Sequence, residues 1–199
     1  MKKLGCLIAA LFLPGLLLRA GPARCEFPET APRWSFEVQT AQLFGVNNPE
    51  DYYLSAQYLT LVYRFDRAPW SVAGIFLTPE LALSAVGEAV LHGPENHYFG
   101  GALRTRAIFA RPASKWSVYL EVGAGAGAID STGTRYGQGQ DFTFNILAGA
   151  GLRYALTERC TVGLGVHYQH LSNADLSEPE TRNTGLDAFG PSLTAGFAF

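Results

Sequence analysis

From residue 34 onward, apolar and polar residues alternate with a period of two in segment after segment, as a strand with two unlike faces requires. In the first segment Trp34, Phe36, Val38, Thr40, Gln42 and Phe44 share one face, while Ser35, Glu37 and Gln39 lie opposite. Trp116, Val118, Leu120 and Val122 likewise oppose Ser117, Tyr119, Glu121 and Gly123. This pattern predicts eight strands: Trp34–Phe44, Tyr53–Phe65, a third from Trp70 past Leu77, Phe99–Ala110, Trp116–Ala128, Phe142–Leu156, Cys160–Asn173 and Phe189–Phe199. Pro79, which has no N–H for a ladder, is expected to interrupt the third strand with a bend or bulge. No helical period and no internal repeat beyond the hairpin is found.

The connections are expected to alternate in length. Asp66–Pro69, Arg111–Lys115 and Thr157–Arg159 are short; Gly45–Tyr52, Gly87–Tyr98, Ile129–Asp141 and Ala174–Ala188 are longer. An even strand count with alternating turns and loops, and strands long enough for a tilted crossing, predicts an all-β, eight-stranded antiparallel transmembrane β-barrel of the bacterial outer membrane. The faces agree. One is apolar and aromatic; the other carries Glu37, Arg104, Arg106, Glu121, Asn145 and Arg153 among glycines, a set suited to a polar lumen. A soluble barrel would turn the apolar face inward. Against it stand aromatic residues at strand ends (Trp34, Phe44, Trp70, Phe109, Trp116, Phe142, Tyr154, Tyr168), where membrane girdles lie, and a terminal Phe199 closing an alternating strand.

The first residues change the picture of destination. Lys2 and Lys3, the apolar Leu4–Leu18 and the small Ala20, Gly21 and Ala23 form a secretory signal over residues 1–23, leaving 24–199 as the barrel. The alternative, a retained anchor, meets a short run broken at Pro14, and Arg24 before Cys25 is a poor lipidation context. Across 199 residues the net charge is −2, with 16% charged and 48% hydrophobic residues. That balance excludes a basic nucleic-acid binder and a disordered chain.

Strand seven breaks its own pattern. Its even positions, Val162, Leu164, Val166 and Tyr168, are apolar or aromatic, and then come His170 and Ser172 on the same face. With both termini periplasmic, this is the outward end of the strand, on the lipid side of the wall. Serine needs an adjacent base to act as a nucleophile; histidine supplies it, and a carboxylate fixes the imidazole. That chemistry requires Ser172 and His170 within hydrogen-bond reach. Asp187, Glu178 and Glu180 are the carboxylates in range, and Asn173, Asn183 and the loop backbone are candidate oxyanion donors. Taken alone, a His and a Ser at a strand end also fit plain interface decoration.

The run His170-Leu171-Ser172-Asn173-Ala174, followed by Arg182-Asn183-Thr184-Gly185-Leu186-Asp187 before the last strand, resembles the lipid A 3-O-deacylase (PagL-type) family of outer-membrane enzymes. The motif occupies about the last 30 residues; the strand count and signal extend the likeness less specifically over the chain. The resemblance implies a serine esterase that removes the acyl chain at position 3 of lipid A, with Ser172 as nucleophile and His170 as base. Asp187 falls where the family commonly has a glutamate, and Glu178 and Glu180 compete for its role. Asn173 and Asn183 match family asparagines near the oxyanion site, and Asp175 stands where a glycine is familiar.

The other candidates are weaker. His92 and His97 belong to a loop and His167 to the interior. No spacing of His, Cys and carboxylates suggests a metal, and no cofactor is expected. Cys25 and Cys160 fall on the same side, where a disulfide is conceivable. The expected partner is lipopolysaccharide in the outer membrane, not nucleic acid; a homodimer is left open. The rival readings are a non-enzymatic barrel for adhesion or membrane integrity, and another barrel lipid enzyme such as a phospholipase or acyltransferase.

Overall fold

The computed structural model describes residues 33–46, 51–65, 71–176 and 182–199. The signal segment, Trp70, Cys25, Glu178 and Glu180 lie outside them, so the cleavage site and the pairing of Cys25 with Cys160 lie outside them too. Eight long strands form the wall: β1 (Trp34–Gly45), β2 (Tyr53–Arg64), β3 (Ile75–His92), β4 (His97–Ala110), β5 (Trp116–Ile129), β6 (Phe142–Ala155), β7 (Cys160–Ser172) and β8 (Leu186–Ala198). Each pairs antiparallel with the next, β8 pairs with β1, and the sheet closes within one chain. Closure pairs each of the eight long strands on both sides, as strands in lipid need. A two-residue strand, Ser71–Val72, folds back on the start of β3 through Ala73 and Gly74, both at positive φ. Among the described residues no helix is long and apolar enough to cross a membrane.

Several boundaries differ from expectation, the third strand beginning at Ile75 rather than Trp70, and two of the differences bear on the site. Pro79 does not interrupt the third strand; β3 runs through it and continues to His92. The Pro79 carbonyl accepts a hydrogen bond from Phe65 N (3.1 Å), just beyond the last paired residue of β2, Arg64. In an antiparallel ladder a residue's N–H and C=O point to the same neighbour. The missing N–H therefore faces a strand that is already leaving, and no ladder bond is lost. As a result the expected long Gly87–Tyr98 loop shrinks to residues 93–96, closed by Val90 N donating to Asn96 O (2.8 Å). The second difference is at β8, which begins at Leu186 rather than Phe189, so Asp187 lies in the ladder and not in a loop.

The short 93–96 turn is clamped by Asp130, whose Oδ1 accepts from the amides of Asn96 and His97 (both 2.9 Å) and whose Oδ2 accepts from the Asn96 side chain (2.7 Å). Burial alone would raise this carboxyl, but the His97 amide and Asn96 outweigh it and hold it down to about 2. A depressed carboxyl stabilises above its unfolded value and loses that contribution as pH falls through the folded one. The turn is expected to stay clamped at pH 4 and to release toward pH 2, read from the Asn96 and His97 amide resonances.

The outer wall is apolar: Phe36, Leu59, Leu83, Leu103, Leu120, Val122, Ile146 and Leu164 are all exposed. The lumen holds a charged layer and an apolar plug, with a buried Tyr58–His167–Gln169–Glu88 hydrogen-bond network besides. Toward the termini, Arg104, Arg106 and Arg153 interlock with Glu37, Glu80 and Glu121, at 3.0–3.2 Å. Toward the opposite end the lumen is plugged by side chains including Leu43, Leu54, Tyr98, Ile129, Leu147, Leu171 and Leu186. The glycines leave room for the lumen's rings, as Tyr119 shows. A Cβ on Gly165 would collide with the Tyr119 hydroxyl, and with Ala150 O at 2.6 Å; one on Gly163 would meet only ordinary contacts from 3.4 Å outward. Gly165→Ala is expected to destabilise the barrel by about 1–3 kcal/mol and Gly163→Ala by clearly less, measured by urea unfolding.

Candidate functional site

Alternation along β7 is kept to its last residue. His167, Gln169 and Leu171 are buried in the lumen, while Tyr168, His170 and Ser172 are part-exposed on the outer wall. The backing is apolar: Leu171, between His170 and Ser172, and Leu186, beside Asp187, both belong to the lumen plug. A packed wall behind a site fixes where its outward side chains start.

His170 and Asp187 are direct cross-strand partners on β7 and β8. His170 Nδ1 lies 2.8 Å from Asp187 Oδ1, with side-chain exposures of 32% and 38%. A carboxylate accepts only, so Nδ1 carries the proton, and Nε2 keeps its lone pair for an incoming donor. The same Asp187 oxygen accepts the Tyr168 hydroxyl at 2.5 Å.

Ser172 ends the strand beside this pair. Its Oγ accepts from the Ala174 amide (3.1 Å) and from Asn183 Nδ2 (3.0 Å). The expected hydrogen bond from Ser172 to His170 is not formed. Two residues along a strand separate their backbones by about 6–7 Å, and in this state both serine contacts are local. Asn183 is itself oriented: Nδ2 also donates to Asp175 Oδ1 (3.1 Å), and Oδ1 accepts from Gly185 N (3.2 Å). Ala174 and Asp175 both adopt left-handed backbone, φ +55° and +61°. That is the conformation a glycine takes freely, and aspartate is among the side chains that tolerate it. The turn begins at the residue whose N–H donates to Ser172 Oγ.

Asn173 departs from expectation. Its side chain is fully buried, and Nδ2 donates to Gln138 O (2.6 Å), away from the outer face. It anchors the 130–141 loop, which is tied below by Ser131 and Gln138 N to the buried Glu95 (3.0 and 3.1 Å). The loop also meets the segment before β8, where Thr184 Oγ1 donates to Tyr136 O and Gly137 O (2.9 and 2.8 Å). The sequence pattern does not show this buttress or the Tyr168–Asp187 contact, and places Tyr168 in the aromatic girdle. The signal for Tyr168 was present in its spacing, two residues before His170 on the same face. Glu178 and Glu180 lie outside the described residues. Among the described residues no group of three His, Cys, Asp or Glu is arranged to hold a metal.

Fold and site together define an outer-membrane β-barrel with a polar constellation on its lipid side. The model of the family described as Lipid A 3-O-deacylase (PagL) matches residues 52–194, and the chain belongs to that family. Among solved structures, the crystal structure of the outer membrane enzyme PagL is similar at 21% identity and a TM-score of 0.56, covering 83% of this chain and 99% of that one. Neisserial surface protein A is similar at 11% identity and a TM-score of 0.50, covering 83% and 97%. These structural likenesses concern the fold. No curated protein matches the sequence.

Proposed function

We propose that this barrel is a serine esterase that hydrolyses the ester-linked acyl chain at position 3 of lipid A. The observation that carries the reading is the outward His170–Asp187 pair with Ser172 on the same face, in a member of the lipid A 3-O-deacylase family. With the termini periplasmic, these groups stand at headgroup depth in the outer leaflet, where an ester can approach laterally.

In the reaction, Ser172 Oγ turns from its resting contacts toward His170 Nε2, which takes the hydroxyl proton as Oγ bonds to the ester carbonyl carbon. Asp187 stabilises the resulting imidazolium. The donors that hold Oγ at rest, Ala174 N and Asn183 Nδ2, become available to the carbonyl oxygen as it gains negative charge. The C–O bond to the sugar breaks, and His170 returns the proton to the sugar 3-oxygen. Water, deprotonated by His170, then attacks the acyl carbon; the bond to Ser172 Oγ breaks, His170 returns the proton to Oγ, and a free fatty acid is released.

The test is mass spectrometry of lipid A from cells producing the wild-type barrel or Ser172→Ala. Loss of one ester-linked acyl chain in the wild type alone is expected. Unchanged lipid A in both would favour a non-enzymatic barrel. Fatty acid released from phospholipid instead would make the protein a phospholipase.

A further inference from the structure

None of the steps just described uses the contact between Tyr168 and Asp187, yet it shares the decisive oxygen. Asp187 Oδ1 accepts both from the Tyr168 hydroxyl (2.5 Å) and from His170 Nδ1 (2.8 Å). Tyr168 pairs across the ladder with Phe189, and His170 pairs with Asp187. Tyr168 therefore reaches Asp187 on the diagonal, a span of about 7–8 Å between backbones that a tyrosine can bridge. The carboxylate is 38% exposed, and both donors converge on one of its two oxygens.

We propose that Tyr168 is a positioning residue for the hydrolysis, a hydroxyl that fixes the Asp187 carboxylate against His170 Nδ1. The inference rests on the reading of the site given above. It assigns to an outward tyrosine, otherwise one of the aromatics at the membrane boundary, a role that acts through Asp187 and touches no substrate atom.

The test is a double-mutant cycle on the full barrel in detergent, with lipid A in mixed micelles as substrate. Tyr168→Phe removes one oxygen and keeps the ring, on a face where Phe144 and Phe189 already stand exposed. In the Asp187 background kcat is expected to fall about tenfold with KM within about twofold, as for a group acting on orientation rather than ground-state binding. In an Asp187→Ala background the same change is expected to alter kcat less than twofold, because its target is gone. An equal loss in both backgrounds, a loss confined to KM, or no loss in the first would each overturn the proposal. A readout free of substrate accompanies it. The Nδ1 proton of His170, held downfield by Asp187 in the nitrogen-15-labelled protein, is expected to broaden or move upfield in Tyr168→Phe; an unchanged resonance would also overturn the proposal. A wild-type barrel that released no acyl chain would sink the esterase reading, and the resonance would still decide the role of Tyr168.

Discussion

Removing either Ser172 or His170 is expected to lower the rate of acyl release by on the order of 10⁴-fold or more, and removing both is expected to cost no more than removing one. The reason is that each is useless without the other. Ser172 at its ordinary basicity does not attack an ester unless Nε2 accepts its proton, and His170 has no other proton to move in the first step. The measurement is fatty acid release by purified barrels bearing Ser172→Ala, His170→Ala and both changes, with folding checked by heat-modifiable migration on gels. Both side chains stand part-exposed on the outer wall, so neither substitution opens a core cavity. Losses that multiply in the double variant would mean that the two residues serve separate steps. A near-normal His170→Ala would return the pair to interface decoration.

The resting geometry makes this prediction sharper. Ser172 Oγ points to Ala174 N and Asn183 Nδ2 rather than to His170. The proposed first step therefore requires a rotation about the serine Cα–Cβ bond, which moves Oγ off its two donors and leaves them for the carbonyl oxygen.

How much of this could be read from the chain depends on what each feature rests on. The wall was legible, because period-two alternation survives across strands such as Trp116–Ile129 and is set by which medium each face meets. Strand ends were less so. Pro79 signals a break by local rule, and only the early departure of β2 makes it harmless. The placement of His170 and Ser172 on the outer face followed from counting by twos. Their partner could be guessed but not placed, because the β7–β8 register that sets Asp187 opposite His170 is a long-range property. The lumen's apolar plug was hidden for a related reason: Leu171 and Leu186 sit on the face that reads as polar elsewhere in the same strands. Asn173 matched a motif, yet, one residue past the end of β7, it continues the strand's inward odd-numbered series and its side chain meets Gln138. The motif names a residue, and the strand period decides which way it points.

The second large effect concerns the other end of the lumen. Arg106→Ala is expected to destabilise the barrel by about 3–5 kcal/mol, measured by urea unfolding. Arg106 Nη1 donates to Glu37 and Glu80 (3.0 and 3.2 Å), and Nη2 lies 3.0 Å from Glu121. All four are buried. Truncation removes the hub and leaves three carboxylates sharing Arg104 and Arg153, with their mutual repulsion undiluted by bulk water. Adding Glu37→Gln removes one of those charges and is expected to recover part of the loss, whereas Glu37→Gln alone should destabilise. The effect on catalysis should be small for barrels that remain folded. The network reaches β7 at His167, whose Nδ1 lies 3.8 Å from Glu121 Oε1, three residues from His170, or about 10 Å at ~3.3 Å per residue, and on the lumen side of the wall whereas His170 faces outward. The plug that includes Leu147, Leu171 and Leu186 fills the lumen behind the site. The charged layer therefore holds the cylinder together while the site keeps its own support from that plug and the Tyr168–Asp187–His170 bonds. A fall in kcat with stability unchanged would instead place the charged layer within the electrostatics of the site.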